Sequence, residues 1–119
     1  MARASNAPAS RQRRKRVLRD ARGFRGNRSK LIRQAYNAVD RANAMAYSGR
    51  KQKKRQYRRM WTARINAACR NLGMSYSDFI HGLKLAKVDL NRKVLAHMAA
   101  HDPDAFGELV NTAREALPS

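Results

Sequence analysis

Over residues 50–56 the chain runs through seven side chains, five of them Lys or Arg and none apolar. A helix built there is polar on every face and has no stripe to lay on a protein core. It has to rest on something acidic. From Tyr57 onward the pattern changes: Tyr57, Trp61, Ile65 and Leu72, with Ala68 between them, recur at the spacing of a helix with one buried face. Residues 50–72 therefore read as one continuous helix that leaves a small globular domain and enters a polyanion.

Charge divides the 119 residues in the same region. Residues 1–72 hold 22 of the 27 Lys and Arg but only Asp20 and Asp40 among the acids, a net charge of +20, against −1 for the remaining 47 residues. So basic a segment repels itself, buries little apolar area and is not expected to order fully alone. Nineteen of the 27 are Arg, whose planar guanidinium grips phosphate through two hydrogen bonds and stacks on exposed bases. That bias favours nucleic acid over a merely acidic surface. The candidate contacts are Arg11, Arg13, Arg14, Lys15, Arg16 and Arg19, then Arg22, Arg25, Arg28, Lys30 and Arg33, and in the central stretch Arg50, Lys51, Lys53, Lys54, Arg55, Arg58 and Arg59.

In chain order, residues 1–10 carry Ala, Ser, Asn and Pro with a single charge and read as an extended arm. Residues 11–22 form a short helix with only Val17, Leu18 and Ala21 for a face, too short and too charged to stand alone. Gly23 and Gly26, flanking Phe24 and Arg25, interrupt it as a hinge and let a phosphate backbone come close. Asn27 or Ser29 is placed to cap a second helix, whose stripe is Ile32, Ala35, Tyr36, Val39, Ala42 and Ala46. This face is thin and mostly alanine. Ser48 and Gly49 weaken the helix by about 1 kcal/mol relative to Ala, and a kink there is expected in preference to a break. Gly73 ends it.

Beyond Gly73 the pattern is compact. Ser75 with Asp78 caps a helix over residues 76–86 with core candidates Tyr76, Phe79, Ile80 and Leu83. Asn91 caps residues 92–101, with Val94, Leu95 and Met98 inward. Asp102 and Pro103 open a last helix carrying Phe106, Leu109, Val110 and Leu117. The fold expected is all-α: a basic N-terminal helical extension, residues 1–56, kinked at Ser48 and Gly49, then a small helical domain, residues 57–119. About 60 residues lies near the lower limit for independent folding.

Several classes of function are disfavoured. One cysteine, Cys69, forms no intrachain disulfide and, lying among alanines on the buried side of its helix, reads as an inert core thiol. There is no apolar run of the roughly 18 residues a membrane span needs. The N-terminus lacks the apolar core of a secretory signal, although its Arg, Ser and Ala content is that of a mitochondrial transit peptide. His97 and His101 stand four apart on one helix, but no third ligand accompanies them at a metal-binding spacing, so no metal or other cofactor is expected. Phosphate-binding glycine loops and paired catalytic carboxylates are lacking too, which argues against an enzyme. Trp61 and Tyr57 fit a core better than a base stack. Phe24, Tyr36 and Tyr47 fit either.

Two stretches, RRKRVLRDARGFRGNRSKLIRQA over residues 13–35 and KRQYRRMWTARINAACRNLGMSYSDFIHGLK over residues 54–84, resemble the large-subunit ribosomal protein twenty family of bacteria and organelles. The likeness covers nearly the whole chain. It is most specific at Lys54, Arg58, Trp61, Arg64, Ile65, Asn66 and Arg70, followed by Ser75, Tyr76 and Ser77 and by Gly82, Leu83 and Lys84. The resemblance implies an all-α protein whose basic extension is buried in large-subunit ribosomal RNA, with a small helical domain on that RNA and an early role in subunit assembly. It adds Arg64, Asn66, Arg70, Ser77 and Lys84 to the RNA-binding candidates. Neighbouring large-subunit proteins are the further partners it implies, with no membrane, no homo-oligomer, and a cytoplasmic ribosome in preference to an organellar one. Four residues, at three places, depart from the family pattern. Thr62 replaces Ile or Val; His81 replaces Asn before Gly82 and alters any RNA hydrogen bond expected there; Ser48 and Gly49 replace a more charged pair.

The function expected is thus a structural and assembly component of the large ribosomal subunit. Helix segments lying between RNA helices would let Arg and Lys on opposite faces touch separate phosphate strands. Repression of its own messenger RNA is a further activity the resemblance implies. A DNA-compacting protein is weaker, since tandem basic repeats and a major-groove module are both lacking.

Overall fold

The computed structural model describes Arg3 and residues 5–118, and all regular structure among them is helical. The elements are α1 (Ala7–Asp20), a 3-10 turn (Gly26–Ser29), α2 (Ile32–Asn71), α3 (Tyr76–Leu85), α4 (Arg92–His101) and α5 (Pro103–Ala116). The expected all-α class holds. The chain forms two compact units, residues 1–51 and 52–119, and α2 contributes to both.

In the first unit α1 starts at Ala7, four residues before the helix expected from the sequence, so residues 7–10 are not part of an extended arm. Pro8 sits in the first turn, where a missing N–H costs nothing and a fixed φ favours the helix. Ser10 is drawn in as well: its N–H donates to the Asn6 carbonyl, and its Oγ accepts from Arg14 at 3.1 Å. Of the rest of that arm, Met1, Ala2 and Ala4 lie outside the described residues. The side chains of Asn27 and Ser29 do not cap α2 as expected. Ser29 Oγ donates to the Gly26 carbonyl, and the Asn27 backbone carbonyl accepts from the N–H groups of Lys30 and Leu31. Helix α2 then runs for 40 residues without a break at Ser48 or Gly49. One glycine costs about 1 kcal/mol, too little to interrupt a helix propagating on both sides. Its apolar face is as thin as its alanines suggest: Ala35 is buried, Ile32, Val39, Ala42 and Ala46 are half-buried, and Tyr36 is exposed.

The second unit holds the core. Ile65 and Cys69 from α2, Met74, Phe79 and Leu83 from around α3, Leu95 and Ala96 from α4, and Phe106, Val110 and Ala113 from α5 form one buried cluster. Phe79 and Phe106 meet tilted at 45° with centroids 5.2 Å apart, within the range favoured by aromatic quadrupoles. The expected caps form: Asp78 N–H donates to Ser75 Oγ at 3.1 Å, Val94 N–H to Asn91 Oδ1 at 2.9 Å, and Ala105 N–H to Asp102 Oδ1 at 3.1 Å. Arg114 reaches back to donate to the Leu72 carbonyl at 2.9 Å, satisfying an acceptor at the end of α2. Burial removes the Cys69 thiolate from water and pushes its pKa up to about 11, as an inert core thiol requires.

Some core candidates are displaced outward. Trp61 is half-buried against the edge of the cluster, Tyr57 one turn earlier is exposed, and Leu72 lies exposed beyond the end of α2. The apolar period continues past the point where there is a core to receive it. Val94 is 40 % exposed because α4 packs through Leu95, Ala96, Met98 and Ala99, leaving Val94 on the shoulder of that face.

Two backbone details are needed for this packing. Gly82 on α3 faces α5 so closely that an added Cβ would overlap the Ala113 carbonyl, with the Ala113 carbonyl carbon at 2.8 Å and its Cα at 2.9 Å. Gly82→Ala gains up to about 1 kcal/mol of helix propensity, but a backbone neighbour cannot swing aside. A net loss of about 1–3 kcal/mol is expected, read as a lower urea midpoint. The second detail is the end of α3. Lys87 N–H donates to the Lys84 carbonyl and Val88 N–H to that of Leu83, which forces Lys87 to φ 56°. At the end of α2 the corresponding position is Gly73, φ 73°. Since a side chain in this left-handed region costs about 1–2 kcal/mol, and glycine returns part of that as chain entropy, Lys87→Gly should raise stability by about 0.5–1 kcal/mol. Thermal melting would register it as a Tm higher by several degrees.

Candidate nucleic-acid interface

Every one of the 27 Lys and Arg side chains is exposed. Arg19 with Asp20, at 3.9 Å, is the only ion pair among the described residues, and both partners are well exposed, so the pair offsets little of the charge. The chain therefore presents its cations almost wholly uncompensated.

The first group of candidates, Arg11, Arg13, Arg14, Lys15, Arg16 and Arg19, lies on α1, where no residue is buried. Arg22, Arg25, Arg28 and Lys30 follow in the connection to α2, and Arg33 opens α2 itself. Gly23 and Gly26 take φ of 85° and 68°, which turns the backbone on both sides of Phe24 and Arg25 in a way other residues resist. The outcome is a groove of about 710 Å³ between this connection and α2, lined by Phe24, Arg25 and Arg28 on one side and Gln34, Asn37, Ala38, Arg41, Ala42 and Met45 on the other. Phe24 is half-buried there.

On α2, Arg50, Lys51, Lys53, Lys54, Arg55, Arg58 and Arg59 are all exposed. At about 100° per residue they spread over roughly two thirds of the helix circumference, so no single flat surface satisfies them all. Lys51 Nζ donates to Tyr47 Oη at 2.7 Å and stands 4.3 Å from the ring centroid, toward its hydroxyl edge. Tyr47 is 61 % exposed and so takes no part in a core.

The candidates carried by the family likeness do not form one face. Arg70 Nε donates to Asn66 Oδ1 at 3.3 Å, joining those two, whereas Arg64 lies about 120–160° away around the helix. Ser77 and Lys84, seven apart on α3, share a side of it and are exposed. Lys84 and Arg58 line a second groove, about 430 Å³, floored by Trp61, Ile80, Leu83 and Leu95. Arg92 and Lys93 also border this groove, and Arg92 donates to Tyr76 Oη at 3.1 Å. Neither was singled out in the sequence, nor was Arg41 in the first groove. A signal for the pair was present: Arg92 and Lys93 directly follow the Asn91 cap and occupy the first turn of α4, where the helix dipole disfavours cations. Arg41 gave none, because only the folded connection brings it opposite Arg25 and Arg28.

His97 and His101 stack with centroids 4.3 Å apart, and His101 Nδ1 lies 3.1 Å from the His97 carbonyl. No group of three or more His, Cys, Asp or Glu converges among the described residues, and no helix among them is long and apolar enough to cross a membrane.

Because none of the central cations is buried, or ion-paired among the described residues, deleting their charge should spare the fold. The full chain with Lys51, Lys53, Lys54 and Arg55 all changed to Gln is expected to keep its helicity and to shift its Tm by no more than the few degrees that correspond to about 0.5 kcal/mol. Circular dichroism melting provides the check.

The family model described as "Ribosomal protein L20" matches residues 3–109. A protein of Methylacidiphilum infernorum named "Large ribosomal subunit protein bL20" is 52 % identical over 115 residues, covering 97 % of this chain and 96 % of the relative. Its namesake in Alkaliphilus metalliredigens is 53 % identical over 117 residues, 98 % of each chain. That of Solibacter usitatus is 58 % identical over 104 residues, 87 % of this chain and 80 % of the relative.

Proposed function

The chain belongs to the ribosomal protein L20 family, and from that membership we propose that it is a non-enzymatic constituent of the large ribosomal subunit that binds ribosomal RNA directly and promotes early subunit assembly. Its relatives named above are bacterial, which favours the cytoplasmic ribosome of a bacterium; there the chain acts as a single copy beside neighbouring large-subunit proteins.

One observation carries the mechanism: the cations are exposed, and all but one lack an acidic partner among the described residues. RNA supplies the missing counter-charge, and displacement of its condensed counterions drives the association. Residues 1–56 act as the extension that enters the RNA, through the cations of α1, of the connection and of the first part of α2. Cations distributed around most of the α2 circumference contact phosphates of separate strands and screen their mutual repulsion. Residues 57–119 act as the docking domain, with Arg64, Asn66, Arg70, Ser77 and Lys84 as its polar contacts. The core beneath them fixes their spacing, so the domain selects a site by shape, as proteins do on structured RNA.

The full chain should co-sediment with large subunits through a high-salt wash, because contacts enclosed by RNA are screened less than surface ones. The variant with Lys51, Lys53, Lys54 and Arg55 changed to Gln should lower the slope of log K against log salt for ribosomal RNA by about 3, and large-subunit precursors should accumulate in cells that carry it. An unchanged slope with normal subunit assembly would remove these four residues from the interface. Release of the wild-type protein by the wash would count against a buried extension.

A further inference from the structure

The groove between residues 24–28 and α2, like the one beside Lys84 and Arg92, sets cations around an apolar floor, but an acid, Asp89, lines only the latter. Arg25, Arg28 and Arg41 stand at the groove, while the Phe24 ring, Ala38, Ala42 and Met45 line it. No described acid lines it; around α2, Asp40 stands about 60° from Asn37, about 100° from Arg41 and about 140° from Met45, and about 160° from Ala38 and Ala42. Met45 is 59 % exposed, and Phe24, though partly covered, keeps part of its surface toward the groove. At about 710 Å³ it falls within the range of pockets that enclose small organic groups, about 300–1,000 Å³.

We propose that this groove captures an unpaired RNA base, which stacks on Phe24 over the Ala42 and Met45 floor while Arg25, Arg28 and Arg41 hold the phosphates on either side. The proposal rests on the RNA-binding reading above and narrows it to one kind of nucleotide. A duplex satisfies the arginines but hides its base faces in the stack, leaving the apolar floor wet. An acidic peptide satisfies the arginines with carboxylates, which gain nothing from an aromatic wall. An extruded nucleotide matches both halves, since every base has a π-face and carries its own phosphate. Gln34 and Asn37, also lining the groove, present amide donors and acceptors to the edge of a base lying there. The positive φ of Gly23 and Gly26 sets the connection beside α2 before any ligand arrives, so little ordering remains for binding to supply.

Base stacking and local packing make different demands on residue 24, and full-length variants separate them. Phe24→Tyr keeps the π-face and Phe24→Leu keeps apolar bulk without it. Fluorescence anisotropy would follow three probes: oligouridylate, whose bases are unpaired, an RNA duplex of matched phosphate number, and polyglutamate of matched charge. Phe24→Tyr should bind all three as the wild type does. Phe24→Leu should weaken oligouridylate by roughly 5- to 100-fold, the equivalent of one lost base–aromatic stack, and leave the duplex and polyglutamate unchanged. If Phe24→Leu binds oligouridylate like the wild type, Phe24 only packs the connection and the proposal fails. Equal weakening of oligouridylate and duplex, or a matching loss with polyglutamate, overturns it as well. Should the wild type prefer neither RNA over polyglutamate, the RNA-binding reading itself falls, a failure recognisable because it does not depend on residue 24.

Discussion

Coulombic repulsion among cations that the chain does not neutralise is the constraint behind its organisation. Two unit charges about 6 Å apart repel by roughly 0.7 kcal/mol even in bulk water, and over the helical stretch of residues 50–59 seven cations stand within a few such spacings of one another. Salt and solvent lower the cost, and helix propensity in Lys, Arg and Gln offsets part of it. What remains is relieved only by external anions. The free chain and the assembled one thus differ in electrostatic energy far more than in covalent or packing energy, which suits a component whose stability depends on its site.

Most of the apolar burial lies where that repulsion is weak. The cluster built on Ile65, Phe79, Leu95, Phe106 and Val110 takes Ile65 and Cys69 from the end of α2 and the rest from residues 74–113, in the part of the chain whose acids nearly balance its bases. It is small, so close approach compensates for bulk. Gly82 against Ala113 brings two backbones together, and dispersion between them replaces the side-chain volume that a larger domain would use. Polar atoms are handled locally by three side-chain caps and the Arg114 bond to Leu72, with no buried side-chain polar atom left unsatisfied among the described residues. A rigid core of this kind holds surface cations at fixed separations, which a disordered basic tail does not.

Features set by near neighbours in the sequence were legible beforehand. The Ser75, Asn91 and Asp102 caps, the turns at Gly23 and Gly73 and the buried Cys69 each follow from chemistry within a few residues. The exposure of every cation followed from their number. Features that depend on distant partners were not legible. The periodicity of Tyr57 and Leu72 is that of a buried face, yet burial requires something opposite, and the core stops short of both. The early start of α1 went unread because a sequence of Ala, Pro and Ser suits an arm and a first turn equally. The groove lined by Phe24 and Arg41 depends on how a short connection lies along α2, which no local pattern encodes.

The single thiol has a consequence for how the molecule can be observed. Cys69 is wholly inaccessible at the centre of the core, and its thiolate is disfavoured until about pH 11. A thiol reagent at neutral pH reaches it only in molecules whose core has opened, so the labelling rate counts those openings. No engineered probe is needed, and no second cysteine of this chain competes for the label. The chain carries its own clock for core breathing, readable inside a ribonucleoprotein where spectroscopic signals from one small helical protein are lost.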